Sequence, residues 1–169
     1  RAGGIAPLVN LLAIGSARAQ EQTAGALSSL GFENDENEAL ICQLLVKLLS
    51  SAEKSESTKA ARAIARLARA HSSNQAAIAR AGGTKILVSL VTVEDGGAKK
   101  LLGSKASDPS TVEMLRETAS ALWEMAANHP TNQLAIAAEG GIPPLIALLS
   151  HSPEIHRDAA GALWSLAAN

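Results

Sequence analysis

Aromatic residues are almost missing from this 169-residue chain: it has no tyrosine, one phenylalanine (Phe32) and two tryptophans (Trp123 and Trp164). With 47% hydrophobic residues it can still build a sizeable core, which must consist of Leu, Ile, Val and Ala. Such a set suits packed helices, because Ala lets backbones approach and Leu fills the gaps between them. The Val, Thr and aromatic enrichment of strands is absent, so the expected fold class is all-α. Cysteine is scarce as well. Cys42 alone cannot close an internal disulfide, and it lies in the apolar run Leu40–Leu49. A reduced, intracellular chain with a buried thiol is expected, cytoplasmic or associated with nucleus, cytoskeleton or cilium.

Charge of one sign is also lacking. Fifteen basic and 16 acidic residues leave a formal charge of -1. That balance gives no general electrostatic reason to bind nucleic acid or an anionic membrane. No signal peptide opens the sequence, and the run Ala39–Leu49 is too short to span a bilayer and is interrupted by Gln43 and Lys47. Neither nucleic-acid binding nor membrane insertion is expected.

What the chain does contain is self-similarity. A short apolar segment recurs at Leu8–Leu12, Leu45–Leu49, Leu87–Val91 and Leu145–Leu149. A longer Ala-rich segment recurs at Ala24–Leu30, Ala61–Leu67, Ala119–Met125 and Ala160–Leu166. A third begins with Asn and ends in Ile, at Asn37–Ile41, Asn74–Ile78 and Asn132–Ile136. The order is kept each time. Leu8 to Leu45 is 37 residues, Leu45 to Leu87 is 42 and Leu87 to Leu145 is 58. Two of these spacings lie near the roughly 40–47 residues of a two- or three-helix repeat. The excess in the third lies between its second and third helices, at 94–110, where Gly96, Gly97, Gly103 and Pro109 indicate a loop. That loop, with Lys99, Lys100 and Lys105, reads as a tolerated surface insertion or a separate contact site.

The pairs Gly3-Gly4, Gly82-Gly83 and Gly140-Gly141 are expected to supply a positive-φ bend after a short first helix, and Pro7 and Pro143 to sit in the first turn of the next. The second repeat lacks this bend, so its first two helices should run together. Ser110 with Glu113 reads as a capping box, and Ser152-Pro153 as an N-cap followed by proline. Repeats are placed at about 1–34, 35–72, 73–130 (insertion 94–110) and 131–169.

On these segments the chain resembles the armadillo-repeat family. The stretch from Asn132 through Gly140-Gly141-Ile142-Pro143-Pro144 to Leu149 is similar to the family's first and second helices, and Ala160–Ala167 to its third. HEAT repeats, two-helix units without the Ala-Gly-Gly bend, fit less well. The resemblance implies a right-handed superhelical α-solenoid of about four repeats, the first truncated and the third carrying the insertion. Neither end looks like a polar cap, so neighbouring repeats or partner proteins are expected to cover both.

The resemblance also implies that third helices line a concave groove binding extended protein segments. In peptide-binding members of the importin-alpha and beta-catenin type, an Asn ladder holds the ligand backbone, and in importin-alpha a Trp one turn earlier packs on ligand side chains. Here the Asn position falls at Ser29, Arg66, Glu124 and Ser165, and the Trp position at Gly25, Arg62, Ser120 and Gly161. None of the eight matches, so nuclear-localisation signals are not expected as ligands. Another turn back are Glu21, Thr58, Arg116 and Arg157. The candidate partner-binding face is therefore Arg62, Arg66, Arg116, Ser120, Glu124, Arg157 and Ser165. Its arginines would either dock an acidic or phosphorylated segment or lie solvated over the helices, with Glu21 and Glu124 as counter-charges. Trp123 and Trp164 occupy equivalent places and read either as packing between third helices or as exposed stacking rings.

Catalysis needs a constellation that the sequence does not offer. His71, His129, His151 and His156 show no metal-ligand spacing, and His151 and His156 are expected to face solvent. Cys42 has no neighbouring His to make it nucleophilic. The expectation is a non-catalytic protein-interaction scaffold without cofactor or metal; the alternative is a partner-binding segment of a larger enzyme such as a ubiquitin ligase.

Overall fold

A computed structural model describes residues 3–69, 71–92 and 108–168. Its secondary structure among these residues is ten α-helices, with no strands: α1 (Ile5–Ile14), α2 (Ala17–Gly31), α3 (Asp35–Leu49), α4 (Lys54–Ala68), α5 (Ser72–Arg80), α6 (Gly83–Val91), α7 (Pro109–Ala126), α8 (Pro130–Ala138), α9 (Ile142–Leu148) and α10 (Pro153–Leu166). The long helices α2, α4, α7 and α10 are the third helices of successive repeats. They form one layer, α2 against α4, α4 against α7 and α7 against α10. Behind them α1 packs on α3 and α3 on α6. The result is an all-helical armadillo-type solenoid. A helix enclosed on both sides needs small residues, and α4 buries Ala60, Ala61, Ala63, Ala65 and Ala68. Each recurring segment contributes a buried side chain, and Leu12, Leu27, Leu45, Ile64, Ile78, Leu87, Leu122, Ile136 and Leu145 are fully buried.

The two glycines of the bend have different tasks. Gly82 (φ 88°) and Gly140 (φ 80°) take the left-handed conformation that ordinary residues avoid. Gly83 and Gly141 lie in close contact: a Cβ there would stand 2.6 Å from Ile78 Cγ2 and 2.8 Å from Ile136 Cγ2, and 2.9 Å from each isoleucine's carbonyl oxygen. In the first repeat Gly4, at φ -78°, takes the same conformation as the second glycine of the last pair, Gly141, at φ -70°. Without a Gly pair, α3 runs unbroken over 15 residues, its N-terminus capped by Asn34 and carrying Asp35, Glu36 and Glu38, its last turn carrying Lys47. Cys42 is buried within it, and burial, with Glu38 nearby, pushes its thiol up to about 11. No helix among the described residues is long and apolar enough to cross a membrane.

The Asn that opens the third kind of segment is a clamp. Asn37, Asn74 and Asn132 each donate from Nδ2 to the carbonyl seven residues back, on Leu30, Leu67 and Met125, at 2.8, 2.8 and 2.9 Å. Those carbonyls belong to the last turn of the preceding third helix and have no partner within it. The Asn thus joins the end of one repeat to the start of the next.

Of the two expected caps, Ser110 is corrected, whereas Ser152 followed by Pro153 is found at the N-cap as expected. The helix N-cap is Asp108, not Ser110: Pro109 and Ser110 already belong to α7, and the expected loop before Asp108, 94–107, lies outside the described residues. Asp108 accepts from the Ser110 and Thr111 hydroxyls at 2.6 and 2.9 Å, and from Lys54 Nζ of α4 at 3.3 Å. Glu113 instead reaches across to Arg62. Ser152 occupies the N-cap of α10, but its hydroxyl donates to Glu154 Oε2 at 3.2 Å rather than accepting from the backbone. The hydroxyls of Ser110 and Thr111, helped by Lys54, hold the Asp108 carboxyl well below the usual carboxylate range. Its stabilisation is therefore complete above the ordinary Asp pKa and is lost as pH falls toward the lowered folded-state value. Asp108→Asn should melt below wild type at neutral pH, and the gap should narrow as pH falls below about 4; a gap independent of pH would show that the carboxylate is not what matters.

Candidate functional site

Helical spacing puts Arg62 and Arg66 one turn apart on α4, Arg116 and Ser120 one turn apart on α7, and Arg157 on α10. Because α4, α7 and α10 lie side by side, these five residues line one groove of about 420 Å³. Arg69, Glu117, Asp158 and, from α2, Gln20 complete its walls.

Most of the positive charge in this groove is already engaged. Arg62 pairs with Glu113 (2.5 Å) and Glu117 (3.2 Å), Arg116 with Glu117 (2.6 Å), Arg157 with Asp158 (3.1 Å) and Arg69 with Glu124 (2.8 Å). Burial alone would lower the pKa of Arg62, but Glu117 and Glu113 outweigh it and hold the value above ordinary. Five guanidinium groups thus face four carboxylates, and Arg66 is left over. Its Nε is buried and has no hydrogen-bond partner among the described residues. A buried guanidinium nitrogen without an acceptor is costly, and an anion entering the groove would supply one.

The expected face is only partly reproduced. Arg62, Arg66, Arg116, Ser120 and Arg157 are brought together in the groove lining. Glu124 is turned into its pair with Arg69. Ser165 is only 5% exposed and lies outside the lining, because a short side chain at that position cannot reach out of the helix layer as Arg66 does. Of the two expected counter-charges, Glu124 serves Arg69, whereas Glu21 is exposed and makes no ion pair among the described residues. The remaining counter-charges were not expected. Glu117 and Asp158 are both buried, and each follows its arginine directly. The recurrence of Arg-acid at Arg116-Glu117 and Arg157-Asp158 was the available signal. Arg69 sits at the C-cap of α4, beyond the register that helical spacing follows.

A second cavity, of about 860 Å³, opens where α7 and α10 begin and shares Arg116 and Arg157 with the groove. His151 lines it and is half-buried rather than solvent-facing, with Nε2 buried and unpartnered among the described residues; His156 is exposed as expected. No three His, Cys, Asp or Glu residues group as metal ligands among the described residues. The tryptophans part company. Trp123 is half-buried against Gly161 of α10, whereas Trp164 is 75% exposed.

Comparison with known proteins agrees with this geometry. Residues 1–31 and 129–168 match the family profile described as Armadillo/beta-catenin-like repeat. Among solved structures, a designed armadillo repeat protein is 21% identical with a TM-score of 0.62, over 96% of this chain and 64% of its own length. An engineered protein is 27% identical over 99% of this chain and 81% of that one, with a TM-score of 0.40. A designed armadillo repeat protein in complex with the peptide (KR)4 is 22% identical over 97% and 82%, with a TM-score of 0.35. No curated protein matches the chain.

Proposed function

We propose, since this chain is an armadillo-repeat solenoid, that it is a non-catalytic scaffold holding an acidic or phosphorylated segment of a partner protein along the groove of its third helices. The fold is generally a binding scaffold, and one observation supports the choice of ligand: Arg66 faces the groove with a buried Nε that has no partner among the described residues. A carboxylate or phosphate there would accept from that nitrogen and meet neighbouring guanidiniums whose other sides are held by Glu117 and Asp158.

The test uses labelled acidic peptides with and without phosphoserine, and a basic peptide as control, read by fluorescence polarisation. Arg66→Glu should weaken the acidic peptide about 10–100-fold, the worth of one charge-assisted hydrogen bond of roughly 1.5–3 kcal/mol. Arg66 is the better position for charge reversal than Arg62, where a glutamate would face Glu113 and the buried Glu117 as a like charge. Added salt should weaken binding as well. Equal binding of acidic and basic peptides, or an unchanged affinity in Arg66→Glu, would refute the assignment.

A further inference from the structure

Among the described residues Arg62 is the one arginine of the groove paired with two carboxylates, Glu113 at 2.5 Å and Glu117 at 3.2 Å. They are held on different terms. Glu117, its side chain 12% exposed, also binds Arg116 at 2.6 Å. Glu113 has a side chain 50% exposed and no ion pair among the described residues besides Arg62. The other two carboxylates that the groove's arginines engage, Glu124 and Asp158, are enclosed at 16% and 3%. Releasing any of those three would leave a buried charge unpaired. Glu113 alone can pass into water, and an exposed pair of this kind is weakly held. Arg62 and Arg66 lie one turn apart on α4 and both line the groove, so their guanidiniums can converge on one anion. A single carboxylate charge is met by Arg66, the guanidinium left over. A phosphate monoester carries a charge of about -1.5 to -2 and three acceptor oxygens, so it calls for a second.

We infer, given the proposed binding of an acidic or phosphorylated segment in the groove, that Glu113 is an internal competitor for the ligand. It holds the place on Arg62 that the phosphate of a phosphorylated partner residue takes, so the groove selects that residue over an unmodified acid. The phosphate accepts from Arg66 Nε and from Arg62 Nη2, the nitrogen that Glu113 releases. Glu117 keeps Arg62 Nε, and Glu113 turns to solvent. An unmodified glutamate in the ligand gains little from this exchange, since it would replace one exposed carboxylate by another. All three residues belong to helices flanked on both sides within the chain, α4 by α2 and α7, and α7 by α4 and α10.

One acidic peptide, synthesised with phosphoserine, glutamate or serine at its centre, tests this by fluorescence polarisation. The wild-type chain should bind the phosphoserine form about tenfold more tightly than the glutamate form, the gain from a second guanidinium. Glu113→Gln keeps the shape and removes the charge, so it should tighten the phosphoserine peptide about fivefold and the glutamate peptide less. In an Arg62→Gln background that gain should vanish. Glu154 lines the neighbouring cavity, accepts from Ser152 and pairs with no arginine among the described residues. Glu154→Gln removes the same charge there and should change affinity less than about twofold. Inorganic phosphate should displace the labelled peptide only at far higher concentration. Unchanged or weaker phosphopeptide binding in Glu113→Gln, or an equal gain in Glu154→Gln, would overturn the inference. So would a gain that survives without Arg62, or phosphate competing as well as the peptide. If the wild type prefers acidic over basic peptides and yet Glu113→Gln changes nothing, the groove reading stands and this one alone fails.

Discussion

Replacing Asn132 by alanine should destabilise the chain by about 3 kcal/mol, whereas the same change at Asn37 should cost about 1 kcal/mol or less. Both residues make the same bond to the carbonyl seven residues back, so chemistry alone predicts equal effects. Surroundings separate them. Asn132 is 1% exposed and donates from Nδ2 to both Met125 O and Gln75 O, at 2.9 and 3.3 Å. Removing it leaves buried carbonyls that water cannot reach, and an unmet buried acceptor costs about 1–3 kcal/mol beyond the bond itself. Asn37 clamps an exposed helix end, where solvent replaces the lost donor. Thermal unfolding followed by far-UV circular dichroism should show the Asn132→Ala midpoint lower by about 6–12 °C, at roughly 2–4 °C per kcal/mol for a chain of this size. Equal midpoints for the two variants would show that burial is not the deciding factor.

The second large effect is expected at Gly161. Leucine there must displace the ring of Trp123, and overpacking of this kind costs about 1–3 kcal/mol even after the gain of roughly 1 kcal/mol from removing a mid-helix glycine. Gly25→Leu, at the aligned position on α2, meets open space and keeps only the helix-propensity gain. One substitution at equivalent sequence positions should therefore have opposite signs. Trp123→Ala provides the control. In that background Gly161→Leu should lose most of its penalty, a coupling that a double-mutant cycle in urea reads directly. If the penalty persisted without the ring, the clash would not be its cause.

Both comparisons show where the sequence is legible. The three recurring segments could be read because a helix writes its buried face into the chain every three or four residues. The unbroken α3 followed from a missing glycine pair, and the arginine face from helical spacing on α4, α7 and α10. What the chain could not disclose depends on which helix lies beside which. Arg62 meets Glu113 across 51 residues and Arg69 meets Glu124 across 55, and no local period records such distances. The Asp108 cap was missed for a similar reason. A serine and a glutamate three apart resemble a capping box, but the cap lies two residues earlier, at Asp108 before Pro109, and Arg62 claims the glutamate.

The tryptophans bring the division out most fully. Sequence by itself determined that Trp123 and Trp164 are equivalent, each following Ala-Leu in a third helix, and that the chain is a stack of like units built from Leu, Ile, Val and Ala. Tertiary structure decided that one ring is covered and the other open. It also decided that Ser165 is buried where Arg66 reaches out, and that five guanidiniums meet four carboxylates so that Arg66 is left over. The physical reason is the same in each case. Periodicity within a helix fixes which side of it faces a neighbour, whereas burial and ion pairing depend on whether a neighbour stands there and what it carries.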